Sequence, residues 1–267
     1  GTPPMALGKC VADEAVLKQL NASLDKALEM AKGDKQLTEK VGKERAYFQD
    51  SFVKMREEYL AQQVAPAVAN KTSGEIMIDG EFNEKDWQNA MVTDDFRIFL
   101  GQGAKAVNHT RVRVLYDDAF IYFAVEVLDN DMKTVTMDCT QNDSGEIWKD
   151  SNLEFFFSSP AFDCQYLHWV VNARGAAWDA MTYTPLDSNL EFNANATVKT
   201  KVKEDRWQVE VGMPLKALGG VVPKKGDLWR VNIARHRNKH GEVKGEGSSW
   251  SNGAFHGLDG YRQILFQ

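Results

Sequence analysis

In the segment IWKDSNLEFFF, Ile147 to Phe157, an aromatic ring and three polar groups recur at every second position: Trp148, Asp150, Asn152 and Glu154. Side chains alternate across an extended strand, so these four are expected on one face while Leu153, Phe155 and Phe157 feed a core on the other. A sugar ring has an apolar face that can lie on an aromatic plane and a rim of hydroxyls that need donors and acceptors. Carbohydrate is therefore the first ligand class that the segment predicts. Asp150 and Glu154 also invite a reading as a glycosidase pair, because hydrolysis needs two carboxylates flanking the scissile bond. Strand residues four apart have Cα atoms ~13 Å from one another, which does not favour that role. A binding carboxylate or a surface charge explains each equally well.

Other residue groups offer less. The acidic turns Asp117-Asp118 and Asp129-Asn130-Asp131 could give oxygen ligands to a structural Ca²⁺, and turn chemistry explains the same residues without metal. No other cofactor is expected. His236 and His240 flank a lysine-containing loop and read as solvated, with no third ligand for zinc. Cys10, Cys139 and Cys164 lack metal-ligand spacing and are odd in number. A Cys139–Cys164 bridge in an exported protein and two unpaired buried thiols are the alternatives, the second preferred.

The elements that would position these residues fall into two regions. From Asp13 to about Gln63, Leu17, Leu20, Leu24, Leu28 and Ala31 recur at spacings of three and four, as do Phe48, Phe52, Met55 and Tyr59. Gly33-Asp34 interrupts the pattern, which predicts an amphipathic α-helical hairpin over 1–65. Two helices cannot bury both stripes alone, so the hairpin should pack on the following domain, a partner or an upstream domain. Residues 64–73 have no period and read as a linker. Beyond them RVRVLY (Arg111 to Tyr116) and IYFAVEV (Ile121 to Val127) form a predicted hairpin. Short strand candidates then follow to Tyr261–Phe266, with turn residues between them. The expected fold is mainly β, an antiparallel jelly-roll-like β-sandwich over 74–267 preceded by the helical hairpin.

Composition bounds the partners. The chain has 267 residues, 43% hydrophobic, with 32 Lys plus Arg against 38 Asp plus Glu and a net charge of -6. No basic block is present, so nucleic acid and anionic membrane are poor partners. No run reaches the ~18 apolar residues of a membrane span. The N-terminus GTPPMALGKC has no signal pattern, and Gly1 reads as a cloning remnant.

Read in order, the strand region resembles the family 9 carbohydrate-binding modules attached to bacterial xylanases and other glycan-processing proteins. The resemblance covers about 74–267. It begins at IMIDGEFNEKDWQNA (Ile76 to Ala90) and runs through VRVLYDDAFIYFAVEVLD, IWKDSNLEFFF and YLHWVVNARG. It closes with WQVEVGMPLKAL, GDLWRVNIARHR, SSWSNGAFH and YRQILF. Each motif alone is common, and their order is specific. The resemblance implies a sandwich that holds a sugar between two aromatic rings, with Trp148 at the position of one. The second falls at Phe255, where the family has a Trp, so stacking there would be weaker. Glu154 and Asn252 match family residues that contact sugar hydroxyls. A family arginine would fall on Val170, which is apolar here. His168 and Asn172 share its parity as replacement donors, and Arg235 is a further candidate. Trp87, Trp207, Trp229 and Trp250 sit in motifs that look like framework, Trp169 has core parity, and Trp178 either extends the site or covers the sandwich.

The resemblance supplies no catalytic pair. It implies noncatalytic binding of an oligosaccharide or polysaccharide, as an accessory module in glycan degradation. The chain would then be a secreted, periplasmic or cell-surface fragment of a larger glycoside hydrolase, with a catalytic domain upstream. The helical segment also resembles the tail of larger bacterial glycan-processing proteins. Two alternatives come from other classes: a haem-binding sandwich of a redox protein, with Met132, Met137 or Met181 as axial ligands, and a protein-interaction module whose hairpin binds a partner.

Overall fold

A computed structural model describes residues 14–62, 64–99, 104–184, 186–238, 245–251 and 256–267, with the side chains of 14, 53–62 and 259 set aside. Cys10, His240, Asn252, Phe255 and the side chains of Met55 and Tyr59 lie outside the described residues. The chain divides into two units, Gly1–Gln63 and Val64–Gln267.

The first unit holds helices α1 (Glu14–Met30) and α2 (Lys35–Gln62). Gly33, at a φ of 104°, ends α1 in a conformation that favours glycine. Asp34 opens α2, its carboxylate accepting from the Leu37 amide at 3.0 Å. The helices meet through Gln49 Nε2, which donates to Asn21 Oδ1 at 3.1 Å, and through the Arg45–Asp25 ion pair. Leu17, Leu20, Leu24 and Leu28 are half-buried, whereas Phe48 remains exposed. The apolar stripe of α2 is thus only partly covered within the unit. No described helix is long and apolar enough to cross a membrane.

The second unit is mainly β. Its described strands are β1 (Ala67–Lys71), β2 (Arg97–Ile98), β3 (Thr110–Tyr116), β4 (Phe120–Leu128), β5 (Asn152–Ser158), β6 (Tyr166–Asn172) and β7 (Ala177–Thr184), followed by β8 (Asp187–Asn189), β9 (Thr197–Val202), β10 (Arg206–Pro214), β11 (Leu228–Arg237), β12 (Glu246–Ser249) and β13 (Arg262–Phe266). A short helix α3 (Lys85–Asn89) follows β1. The strand order is β8-β7-β6-β5-β11-β13-β1-β3-β4-β10-β9, with β12 bridging β11 and β2.

The two halves of this order face one another as a sandwich. Phe123 of β4 meets Phe155 and Phe157 of β5 edge to face, at ring-centroid distances of 5.5 and 5.6 Å. The odd-numbered residues of β5 and β6, together with Val125, Val209, Val211 and Trp229, complete one buried core. Each large side chain fully removed from water there contributes about 1.5–3 kcal/mol.

Two features depart from the expected plan. The sandwich is mixed, because β1 pairs in parallel with both β13 and β3. Residues 64–73 are therefore no simple linker: Ala67 and Ala69 point inward at 2% and 0% exposure and close the junction of the halves. Small alanines suit that crowded seam, and they are also why the strand carries no apolar signal.

The opening Ile-Asp-Gly motif is a turn clamped to β10. Glu210, fully buried, accepts from the amides of Asp79 and Gly80 at 2.9 Å each and from Trp87 Nε1 at 2.9 Å. Gly80 has a φ of 84°, where any other residue would be strained. Trp87, Trp169, Trp207, Trp229 and Trp250 all lie in the interior. Among the described cysteines, Cys139 is buried and Cys164 exposed, and both are free. They form no bridge, and the expectation of two buried thiols holds for one of them. Met132, Met137 and Met181 all pack against the main core, so their sulfurs serve packing.

Candidate functional site

The outer face of β7, β6, β5 and β11 carries the candidate site. Trp148 reaches it from a 3-10 turn, Gly145–Lys149, and β5 begins only at Asn152. The expected strand parity from Trp148 to Glu154 is thus replaced by a turn that presents the ring from above the sheet. Ser144 caps the turn by accepting from the Glu146 amide at 3.2 Å. Ile147 is its anchor, fully buried with Cys139, Val170 and Ala176. The neighbouring Trp148 is 41% exposed, far above any other described tryptophan in the core.

The polar residues expected beside Trp148 hold the turn in place. Asp150 is 1% exposed and accepts from the amides of Asp138 and Cys139 at 2.8 Å and from Asn172 Nδ2 at 2.7 Å. It has no free face for a glycosidase role. Asn152 Nδ2 donates to the carbonyls of Ile147 and Asp150. Asn238 Nδ2 donates to the carbonyls of Trp148 and Asp150, at 3.1 and 2.7 Å. Trp148 is therefore mounted on a loop pinned from both β5 and the end of β11.

Glu154 sits on the sheet beneath this loop, 6% exposed. His168 Nε2 lies 2.7 Å from Glu154 Oε2, and His236 Nε2 lies 2.6 Å from Glu154 Oε1. Burial alone would raise the Glu154 carboxyl, but the hydrogen bond with His168 and the close contact with His236 outweigh it and hold the carboxyl at about 2. The base of the site is an ionised carboxylate between two imidazoles. His236 accordingly belongs to this face and is not a solvated loop residue.

Aromatic rings surround the carboxylate. Trp148 lies 5.3 Å from Trp178 at an interplanar angle of 67° and 5.8 Å from His168. His168 stacks on Phe156 at 4.5 Å and 17°. Tyr166 Oη is 2.6 Å from His256 Nδ1, which ties the segment following residues 252–255 to β6. His256 thus anchors its loop.

Two sequence candidates do not join the site. Asn172 is 0% exposed, and its amide is fully spent: Nδ2 donates to Cys139 O and Asp150, and Oδ1 accepts from the Arg174 and Ala176 amides. It builds the β6–β7 turn. Arg235 points through the sheet to the other side. It is 2% exposed, pairs with Asp129 at 3.0 Å and donates to the carbonyls of Asn108 and His109. Asp129 also holds Arg237 at 2.6 Å, and Asp117 accepts from the Ala119 and Phe120 amides. Of the acidic turns expected as Ca²⁺ ligands, Asp129 and Asp117 thus have oxygens engaged by guanidinium and turn N–H groups, and Asp118 pairs with Lys71. Among the described residues no group of three or more His, Cys, Asp or Glu side chains is arranged to hold a metal ion.

Sequence reasoning missed His236 and left Trp178 between extending the site and covering the sandwich. A signal existed for Trp178: residues equidistant from Arg174 pair across the β6–β7 hairpin, which sets Trp178 opposite Val170. His236 needed the β5–β11 register, where it pairs with Asn152.

A family model described as carbohydrate family 9 binding domain-like matches residues 78–256. A family 9 carbohydrate-binding module from Caldicellulosiruptor kristjanssonii, solved with cellotriose, superposes with a TM-score of 0.55 at 16% identity, covering 76% of this chain and 93% of that one. The glucose complex of a family 9 module from the same organism gives 0.53 at 17% identity over 75% and 95%. A candidate carbohydrate-binding protein from Bacteroides uniformis gives 0.60 at 15% identity over 76% and 99%. The search of curated proteins finds no match.

Proposed function

The chain belongs to the carbohydrate family 9 binding domain-like family, and from that premise we propose that it binds a carbohydrate without catalysis on the outer face of β5, β6 and β7. The observation that carries the reading is an exposed Trp148 beside a buried Glu154–His168 pair that the half-buried His236 flanks. The indole would take the apolar face of a sugar ring, and the imidazoles and carboxylate would meet its hydroxyls. Asp150 is spent on loop amides, which argues against a carboxylate pair and for binding alone.

In this reading the module is an accessory domain of a glycan-degrading protein, exported to the periplasm, the cell surface or the medium, where polysaccharide is found. The α1–α2 hairpin is the end of an upstream domain or a connector to it. Binding would keep such a domain near its glycan and raise the effective concentration of substrate. The bound forms of the Caldicellulosiruptor modules, with cellotriose and glucose, make β-glucans the first ligands to try. A glycan array probed with the intact chain tests the proposal. Selective retention of a glycan class is expected, and uniform absence of binding would contradict it.

A further inference from the structure

We propose that Trp178 is the second wall of this site and that it selects a sugar carrying a methyl group, from an acetamido or a 6-deoxy position, at the edge that abuts its indole. The inference rests on the sugar-binding reading and adds a ligand class to it.

The sheet register sets the polarity of the site. One rung runs Trp178, Val170, Glu154, Ala234 from β7 to β11, and the next runs Ala180, His168, Phe156, Asn232. Moving along β5 to the adjoining pair brings in His236, opposite Asn152. The β5–β11 side therefore carries Glu154 and His236, and His168 of β6 lies between them and β7. The β7 side carries Trp178, packed on Cys139, Ile147, Val170 and Ala176. Polar groups thus extend from β11 to β6, and at β7 the face ends in an indole.

Trp148 and Trp178 meet at 67° with centroids 5.3 Å apart, and His168 stands 5.3 Å from Trp178 at 76°. Two indoles at such an angle form an inside corner. A sugar whose face lies on one ring must push an edge substituent toward the other. A hydroxyl driven against the indole would give up its water partners and gain none. A methyl there would instead lose apolar surface to water-free contact and benefit from it. The hydroxyls on the opposite edge would meet Glu154 and His236.

Val170 is what permits this arrangement. It is fully buried and directly opposite Trp178, so the indole rests on an apolar floor. A longer polar side chain at 170 would have to pass under or displace the ring.

The test compares matched sugars by calorimetry or NMR titration on the intact chain: D-glucose with 6-deoxy-D-glucose, D-galactose with 6-deoxy-D-galactose, and D-glucose with N-acetyl-D-glucosamine. A preference of about fivefold or more for the methyl-bearing member of at least one pair is expected. The first two pairs report a 6-deoxy source and the third an acetamido source. Trp178→Ala should bring that ratio to within about twofold, and Trp178→Phe, which keeps a ring on the Val170 floor, should leave it intermediate. Sugar binding without a methyl preference, or a preference that survives in both variants, overturns the role of Trp178 and leaves the sugar site standing. Failure of the chain to bind any sugar overturns both.

Discussion

Asn172 Nδ2 donates to Asp150 Oδ2 at 2.7 Å, joining the turn that carries Trp178 to the loop that carries Trp148. The same amide accepts from Arg174 and Ala176, so one buried side chain fixes both aromatic walls of the site.

Asn172→Ala should therefore be among the more damaging single changes on this face. It strands two turn amides and removes one of the three bonds to the Asp150 carboxylate, at a cost of about 2–4 kcal/mol. Chemical denaturation should show a lower midpoint with an unchanged slope. Sugar affinity should fall as well, although Asn172 touches no ligand. A variant of wild-type stability would show that the turn is held by other bonds.

Glu154 makes stability depend on acid. Its carboxyl is held at about 2, below the ordinary value of 4.5, by His168 and His236. A depressed carboxyl stabilises the folded state above the unfolded value and loses that contribution as pH falls through the folded one. The contribution, on the order of 3 kcal/mol at neutral pH, should be present above pH 4.5 and fade toward pH 2. Glu154→Gln should be clearly less stable than wild type at pH 6, and the difference should close in acid. A difference that stays constant with pH would mean the imidazoles do not hold the charge.

Asp129 offers a contrast, because its network lies on the other side of the sheet. Arg235 and Arg237 both bind it at 4% exposure. Asp129→Asn leaves two buried guanidinium groups with one neutral partner and should cost about 3–5 kcal/mol. Any protein that remains folded should keep its sugar affinity. Loss of affinity beyond the loss of fold would place this network in the site.

Much of the fold could be read from residues alone because the strands alternate cleanly. Leu153, Phe155 and Phe157 announce a core face, and the core does form there. Alternation places Trp148 on the strand face with Glu154, yet it stands on a 3-10 turn, which parity cannot reveal. β1 was illegible because Ala67 and Ala69 are chosen for a narrow seam and carry no apolar pattern. Asp150, Asn172 and Arg235 look like ligand-binding groups in sequence, since nothing local shows that a buried amide, carboxylate or carbonyl will claim them. His236 illustrates the converse, a residue whose meaning depends wholly on a strand that lies far away in the chain.

The central claim, that Trp148 is the platform on which a sugar is bound, is tested most directly by calorimetry of Trp148→Ala against the tightest ligand from a glycan array. Trp148 is 41% exposed, so its removal should shift the melting temperature little. Affinity should fall at least about tenfold, equivalent to about 1.4 kcal/mol. A folded variant that binds as tightly as wild type would contradict the claim and move the ligand away from this face.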